Sequence, residues 1–161
     1  MTASSQPEHA VRVDIPVAFY HCDPLGVVWH GRYFEYFETA RMALLASCGL
    51  DVMLIRDLGY RLFITDARCK YMAPLSLGDA PQLSAWFETV TPLIRINYEI
   101  RVPGPGAMPG STQGSTQGST QGATQDSKLC SRATTLIATT DADGTLQAET
   151  PDALLKLLPA L

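Results

Sequence analysis

The sequence predicts an α+β fold in which one long helix packs on an antiparallel β-sheet of five or six strands. Two observations lead to this prediction. A single strand pattern precedes one long amphipathic stretch, and at least four further strand patterns then follow without helices between them. Since parallel strands need a crossover connection that is usually helical, this order favours antiparallel pairing and argues against a doubly wound α/β fold.

Length and composition limit the class of protein. The 161 residues suit one domain, and a composition of 46% hydrophobic and 17% charged residues is typical of a globular chain. No run approaches the roughly 18 apolar residues of a membrane-spanning helix, so no membrane insertion is expected. A net charge of -4 gives no basic excess for binding nucleic acid. The first ten residues lack both parts of an export signal, and a cytoplasmic location is therefore expected.

The first two elements follow from periodicity. Residues 11–20 alternate apolar and polar side chains and predict a strand, in which Pro16 lacks the N–H donor that a central strand needs. Residues 33–48 carry large or apolar side chains at helical spacing. Gly49 follows at the position where a residue in the left-handed conformation commonly ends a helix. These patterns predict a strand that either lies at an edge or contains a bulge, followed by about four turns of helix.

The remaining elements are mostly strands. Alternating or β-rich patterns predict strands over 61–71, 83–90, 93–102 and 129–140. The clearest of them predicts five side chains that face the core, namely Ile94, Ile96, Tyr98, Ile100 and Val102. The side chains between them, Arg95, Asn97, Glu99 and Arg101, are predicted to face outward. On the first of these strands, Phe63 and Tyr71 are predicted to share one face, and Arg68 and Lys70 to lie on the opposite face. Thr150 and Pro151 form a helix start, which predicts a short closing helix over 151–158.

One segment differs in composition from the rest. Residues 103–127 contain three STQG repeats and have no hydrophobic face, which is typical of a flexible linker. We therefore predict a single domain over residues 1–161, with a flexible tail at 1–10 and a low-complexity linker at 103–127 inserted between two strands. Such an insertion costs little, because loop-closure entropy grows only logarithmically with length.

Several common catalytic motifs are missing from the sequence. It contains no GxSxG, GxxxxGK[ST] or HExxH motif and no paired CxxC. The three histidines do not form a ligand set, so no metal is expected. The four cysteines are far apart and are interpreted as reduced thiols.

The segment with the candidate catalytic residues lies between the first strand and the long helix. Asp23 begins an Asp-Pro-Leu-Gly tetrapeptide, which is the signature of a type I β-turn in which the aspartate usually binds only its own backbone. Seven residues later, His30 and Gly31 precede the helix, where backbone N–H groups lack intrahelical partners. A carboxylate and an oxyanion-binding helix end that face one pocket would suit attack on a carbonyl group.

The pattern D-P-x-G-x-V-W-H-G-R-Y-F-E-Y-F-E-x-A-R at 23–41 resembles the signature of the hotdog-fold acyl-CoA thioesterases of the 4-hydroxybenzoyl-CoA thioesterase type. Tyr71-Met72-Ala73-Pro74, Gly78-Asp79 and the closing helix resemble the same family in the same order. The resemblance implies a hotdog fold, with a long central helix wrapped by the sheet. It also implies an acyl-CoA substrate, no separate cofactor because CoA is part of the substrate, and a homodimer or homotetramer with active sites at the subunit interface.

The resemblance also implies roles for individual residues. It assigns the catalytic carboxylate, as nucleophile or general base, to Asp23 and the carbonyl-polarising backbone N–H to His30. The residues expected to bind substrate are Gly26, Val28, Trp29, Gly31 and Tyr33, with Arg68, Lys70 and Arg95 as candidates for the CoA phosphates. The chain departs from the 4-hydroxybenzoyl-CoA enzyme at 92–94, where Pro-Leu-Ile replaces a basic cluster.

Two alternative functions remain open at the level of sequence. One is a hotdog hydratase or dehydratase of hydroxyacyl thioesters, which uses a histidine and a carboxylate, and His30 makes it conceivable. The other is an acyl-thioester-binding protein without catalysis. The acyl group, its carrier (CoA or acyl carrier protein) and the choice between dimer and tetramer are also open.

Overall fold

The computed structural model describes residues 6–7, 9–104 and 127–161. The strands are β1 (Val11–Asp14), β2 (Tyr60–Tyr71), β3 (Gln82–Thr89), β4 (Ile94–Val102) and β5 (Lys128–Asp141). The helices are α1 (Arg32–Ser47), α2 (Val52–Asp57) and α3 (Asp152–Leu155), with a short 3₁₀ turn at Phe19–His21. Most of the predicted linker, and residues 1–5 and 8 of the predicted tail, lie outside the described residues. Within the described ranges, no helix has the length and apolar character needed to cross a membrane.

The five strands form one sheet in the order β1-β3-β4-β5-β2, and every neighbouring pair is antiparallel. The predicted α+β architecture is therefore confirmed. Strands β1 and β2 form the two edges. Val102 at the end of β4 pairs with Lys128 at the start of β5, so the segment between them joins adjacent strands.

The core lies between α1 and one face of the sheet, which we call the inner face. Four of the five β4 side chains predicted to face inward are buried, and they are Ile94, Ile96, Tyr98 and Ile100. Helix α1 covers them with its own apolar stripe, and the rings of Phe37 and Tyr98 lie 5.1 Å apart. Burial of this area stabilises the fold by roughly 25 cal/mol for each Å² removed from water.

Helix α1 begins and ends within one residue of its predicted bounds. Gly49 adopts a φ of +73°, the left-handed conformation expected just after the last turn. At the other end the N-cap is Gly31, which has no side chain to accept a hydrogen bond from the first turn. The start of α1 is therefore left without side-chain capping.

The first strand is shorter than predicted, because it ends at Asp14 instead of Tyr20. Pro16 has no N–H to continue the ladder. The chain instead makes single hydrogen bonds from Ile15 N–H to the Pro81 carbonyl (3.0 Å) and from Val17 N–H to the Asp79 carbonyl (3.2 Å). The edge position predicted for this strand is correct.

Two other features were not predicted. A bulge at Thr65 breaks the alternation of β2, so Phe63 pairs with Ala138 and lies on the face opposite to Tyr71, with 59% of its side chain exposed. Helix α2 was also missed, although Asp51 caps it by accepting a hydrogen bond from Leu54 N–H at 2.7 Å. The closing helix α3 is confirmed but covers only four residues.

A buried acidic group lies on the other, outer face of the sheet. Glu99 was predicted to face outward, and it does, yet its side chain is only 1% exposed. It accepts hydrogen bonds from Arg132 (2.8 Å), Arg101 (3.1 Å) and Gln6 (3.2 Å). Burial alone would raise the pKa of Glu99, but these donors outweigh it and hold the pKa below its ordinary value. Gln6, from the segment predicted to be a flexible tail, thus contacts the sheet.

Candidate active site

The segment before α1 folds into a small hairpin. Cys22 and Val28 form an antiparallel bridge, and the Asp23 N–H donates to the Val27 carbonyl at 2.8 Å. The Gly26 N–H donates to the Asp23 carbonyl at 2.9 Å. Gly26 has a φ of +79°, which other residue types rarely adopt. The predicted β-turn is present, and the tight return places Asp23 at the tip of the hairpin.

The Asp23 carboxylate has a structural role in this turn. Its Oδ1 accepts hydrogen bonds from the Leu25 N–H at 2.8 Å and from the Val27 N–H at 3.4 Å. The second oxygen, Oδ2, has no hydrogen-bond partner within the described ranges. Asp23 is half-buried. One oxygen therefore holds the turn while the other is available for chemistry.

The same turn occurs a second time in the chain, at Asp141. Its Oδ1 accepts from the Asp143 N–H at 3.0 Å and from the Thr145 N–H at 2.8 Å, with Gly144 at a φ of +90°. The turn geometry alone therefore does not mark an aspartate as catalytic. What distinguishes Asp23 is that its hairpin forms part of a cleft.

An open cleft of about 300 Å³ lies between the start of α1 and the segment that follows β2. The residues that line it are Val27, Val28, His30, Tyr33, Tyr71, Met72, Ala73 and Pro74. The structure thus brings together Val28, His30 and Tyr33 of the predicted site. Asp23 adjoins the cleft through its two hydrogen bonds to Val27. The other predicted residues of this segment, Gly26, Trp29 and Gly31, flank the cleft without lining it.

Two hydrogen bonds connect the two walls of the cleft. The Val28 N–H donates to the Leu75 carbonyl at 2.8 Å, and the Leu75 N–H donates to the Tyr33 hydroxyl at 3.3 Å. Tyr33 is buried, and burial raises the pKa of its hydroxyl above the ordinary value. This tyrosine therefore stays neutral and ties α1 to the opposite wall.

The backbone at the start of α1 has free donors that are held in place. The Trp29 carbonyl accepts from the Arg32 N–H at 2.9 Å, and the His30 carbonyl accepts from the Tyr71 hydroxyl at 3.0 Å. In the part of the chain that the structure describes, the N–H groups of His30 and Gly31 have no acceptor. Unpartnered N–H groups at a helix start favour a negatively charged oxygen.

Gly31 lies close against the Trp29 indole ring. A Cβ atom added at position 31 would fall well inside contact distance of three atoms of that ring. We expect Gly31→Ala to displace either the indole or the helix start. The expected result is at least about a tenfold loss of activity together with a change in tryptophan fluorescence.

A matched control for this variant is Gly59→Ala. Gly59 lies outside the cleft and its added Cβ meets nothing within 4 Å, but its φ of +84° strains any side chain. We expect it to cost about 1 kcal/mol of stability and to leave activity unchanged. Equal activity in the Gly31 variant and the wild type would show that the indole contact has no bearing on the site.

The three cations predicted for CoA phosphates do not lie in the cleft. Register places Arg68, Lys70 and Arg95 on the outer face of the sheet, whereas Tyr71 lies on the inner face. Arg68 forms an ion pair with Asp66 at 2.7 Å. Strand β5 separates Arg95 from the other two and adds Arg132 directly opposite Lys70. The assignment of these residues to CoA stays a prediction.

Sequence reasoning missed the contribution of the segment after β2. Met72, Ala73 and Pro74 line the cleft, and the Tyr71 hydroxyl reaches the backbone of the opposite wall. In the sequence these residues form the Tyr-Met-Ala-Pro motif, which supported the family resemblance but was not assigned a role in the site. Among the described residues, no group of three or more His, Cys, Asp or Glu side chains is placed to hold a metal ion.

Comparison with known families gives a match over most of the chain. The family described as the Thioesterase-like superfamily matches residues 17–158, which is most of the chain. The chain belongs to this superfamily. The matched range includes the Asp23 hairpin, helix α1 and all the residues that line the cleft.

Solved structures of two thioesterases share the hotdog fold of this superfamily member. The 4-hydroxybenzoyl CoA thioesterase from Pseudomonas sp. strain CBS-3 is 18% identical and superimposes with a TM-score of 0.69, covering 92% of this chain and 99% of that one. The DHNA-CoA thioesterase from Staphylococcus aureus is 17% identical with a TM-score of 0.65, covering 86% and 79%. The predicted hotdog fold, with its long helix and five-stranded sheet, is confirmed.

Sequence relatives match over shorter stretches. The "Putative esterase" of Aquifex aeolicus (strain VF5) is 41% identical over 63 residues, which is 39% of this chain and 49% of that protein. The chain therefore spans about half the length of the curated relatives it matches.

Proposed function

We propose that the protein is an acyl-CoA thioester hydrolase that releases a free carboxylic acid and CoA. One observation carries the proposal. In a chain of the thioesterase-like superfamily, a carboxylate oxygen of Asp23 and the backbone N–H of His30, neither with a hydrogen-bond partner among the described residues, lie at the same cleft. This is the pair of groups that attack on a thioester carbonyl requires.

The backbone N–H of His30 serves the carbonyl oxygen. As the carbonyl carbon becomes tetrahedral, its oxygen gains negative charge, and donors already fixed in place stabilise that charge without reorganising. Because no acceptor binds the His30 N–H within the described ranges, this donor is available. The positive end of the α1 macrodipole adds to the same effect.

Asp23 serves the attacking group. It acts either as a general base, taking a proton from the water that attacks the carbonyl carbon, or as a nucleophile that forms a mixed anhydride, which water then hydrolyses. In both routes the bond from carbon to sulfur breaks and the sulfur leaves as a thiolate. Since a thiol has a pKa near about 8.5, the thiolate leaves without a strong general acid.

The proposed substrate is the CoA thioester of a compact acid. Aromatic and aliphatic side chains line the cleft, and its volume of about 300 Å³ leaves room for a short or aromatic acyl group. Both named thioesterases above carry a CoA thioester in their names, which supports CoA as the carrier. No cofactor beyond the substrate itself is needed for this hydrolysis.

We further propose that the protein assembles as a homodimer or homotetramer. Strand β2 is a 12-residue edge strand, and Phe63 and Ile64 lie exposed on it. Long edge strands with exposed apolar side chains favour pairing with another chain. We expect sedimentation to give at least twice the 17.5 kDa mass of one chain, and a monomer at micromolar concentration would contradict the proposal.

Free-thiol release from a panel of aliphatic and aromatic acyl-CoAs tests the proposed function. We expect turnover of at least one member of the panel, with the appearance of free thiol. The hydratase alternative predicts turnover of crotonyl or hydroxyacyl thioesters without thiol, and a binding protein predicts saturable binding without turnover. Within the described ranges no carboxylate is hydrogen-bonded to the His30 imidazole, so the structure does not favour the hydratase.

A further inference from the structure

His21 connects helix α1 to the hairpin that carries Asp23, which spans residues 21–29. Its carbonyl accepts from the Trp29 N–H at 2.9 Å, at the base of that hairpin. Its side chain reaches the helix, where the hydroxyl of the buried Tyr36 lies 2.8 Å from the Nδ1 atom of the ring. The two rings meet edge to face, with 5.4 Å between their centroids. One residue thus joins the hairpin backbone to α1.

A second hydrogen bond determines which nitrogen of the His21 ring carries the proton. The backbone N–H of Ala18 donates to the same Nδ1 atom at 3.2 Å. Because a backbone N–H can only donate, Nδ1 is an unprotonated acceptor, and the proton of the neutral ring lies on Nε2. The Tyr36 hydroxyl is therefore also a donor. Burial raises the pKa of Tyr36 to about 12, which keeps that proton in place.

The two sides of the hairpin are held to the rest of the chain in different ways. After the turn, the Val28 N–H donates to the Leu75 carbonyl at 2.8 Å, so a backbone hydrogen bond holds this side. In the part of the chain that the structure describes, the Tyr36 hydroxyl forms the only hydrogen bond between residues 18–26 and the chain outside 18–29. The side with the candidate catalytic carboxylate therefore depends on the bond from α1.

We propose that His21 is a positioning residue, which holds the side of the hairpin with Asp23 against α1 by accepting a hydrogen bond from Tyr36. Its catalytic consequence rests on the proposed thioester hydrolysis. In that reaction Asp23 and the His30 N–H act on one carbonyl group, and α1 begins two residues after His30. Because a displacement of about 1 Å can lower a rate about a hundredfold, loss of this bond should lower kcat more than it changes KM.

Two replacements of His21 test whether its acceptor atom matters. His21→Ala removes Nδ1, and we expect kcat to fall at least about tenfold while KM stays within about twofold. In His21→Asn the Oδ1 acceptor takes the place of Nδ1, since both atoms are bonded to Cγ. We expect this variant to keep kcat within about threefold of the wild type. Wild-type kcat in His21→Ala, or equal losses in the two variants, would overturn the proposal.

Tyr36→Phe removes the donor of the same hydrogen bond and keeps the ring. We expect the loss of kcat seen in His21→Ala, and no further loss when the two substitutions are combined. Tyr98→Phe is the matched control, because the Tyr98 hydroxyl is also buried and hydrogen-bonded, to Thr135 at 2.9 Å, but does not line the cleft. Wild-type kcat in Tyr36→Phe, or an equal loss in the control, would contradict the proposed role.

Two NMR measurements test the positioning without any substrate. At about pH 8, the ¹⁵N signals of the His21 ring should show an unprotonated Nδ1 and a protonated Nε2. The ¹⁵N order parameter of the Asp23 amide should fall from about 0.85 toward about 0.6 in Tyr36→Phe and stay unchanged in Tyr98→Phe. A proton on Nδ1, or an unchanged Asp23 value in Tyr36→Phe, would overturn the proposal. If the wild type releases no thiol from any acyl-CoA, the proposed function fails, and these two measurements alone decide whether His21 positions the hairpin.

Discussion

Replacing Asp23 by asparagine is expected to lower kcat/KM for thioester hydrolysis at least about a hundredfold, with little change in melting temperature. Asparagine keeps the Oδ1 acceptor that binds the Leu25 and Val27 N–H groups, so the turn survives. It removes the negative charge and the basic second oxygen. A hundredfold loss corresponds to roughly 2.7 kcal/mol of transition-state stabilisation.

Asp141→Asn is a control that the chain itself provides. Asp141 makes the same pair of side-chain hydrogen bonds in the same kind of turn. The two substitutions should therefore have the same small effect on stability. Only the Asp23 variant should lose activity, and a similar loss in both would show that the turn, and not the carboxylate at the cleft, is what matters.

Glu99→Ala is expected to have the largest effect on stability, a loss of about 3 kcal/mol. The substitution removes a buried carboxylate and leaves Arg132, Arg101 and Gln6 without their acceptor. Because the two arginines are partly exposed, we expect the loss of stability to lie at the lower end of the range for breaking a buried ion pair. In a chain of this length the melting temperature should fall by about 6–12 °C.

The same carboxylate predicts how stability depends on pH. Since the folded-state pKa of Glu99 is lowered, its contribution is fully present above the unfolded value near about 4.3 and is lost as pH falls through the folded value. Urea denaturation at several pH values should show wild-type stability falling below about pH 5. The fall should be smaller in Glu99→Gln.

Glu88→Gln is the matched control on the same sheet. Glu88 is exposed and accepts one hydrogen bond from Asn97. We expect this variant to be within about 0.5 kcal/mol of the wild type, as is usual for surface positions. If the Glu99 variants and Glu88→Gln are equally stable, the buried Glu99 carboxylate and its three hydrogen-bond donors do not stabilise the fold.

Periodicity predicted the parts of the fold that depend on burial. The alternation of β4 and the stripe of α1 identified the faces that meet at Phe37 and Tyr98. Periodicity gave the wrong face where a bulge interrupted the alternation of side chains. The bulge at Thr65 moved Phe63 to the opposite face of the sheet. The alternation of polar and apolar residues in one strand does not show where a bulge occurs or which strand pairs with it.

The candidate site could be predicted in part. The hairpin at Asp23 and the start of α1 are close in sequence, so turn and helix signals were enough to propose them. Tyr71 is 41 residues from the carbonyl that it binds, and only the sheet order brings the two together. The burial of Glu99 was hidden for the same reason, because its partners come from another strand and from the segment near Gln6.

The most direct test of the account is to measure free thiol and free carboxylic acid in parallel, from the same acyl-CoA reaction, with the wild type and with Asp23→Asn. We predict that the wild type produces thiol and acid in equal amounts. The variant should produce both at no more than about one hundredth of that rate. Loss of the thioester substrate without thiol, or equal rates in the two proteins, would contradict hydrolysis at the Asp23 cleft.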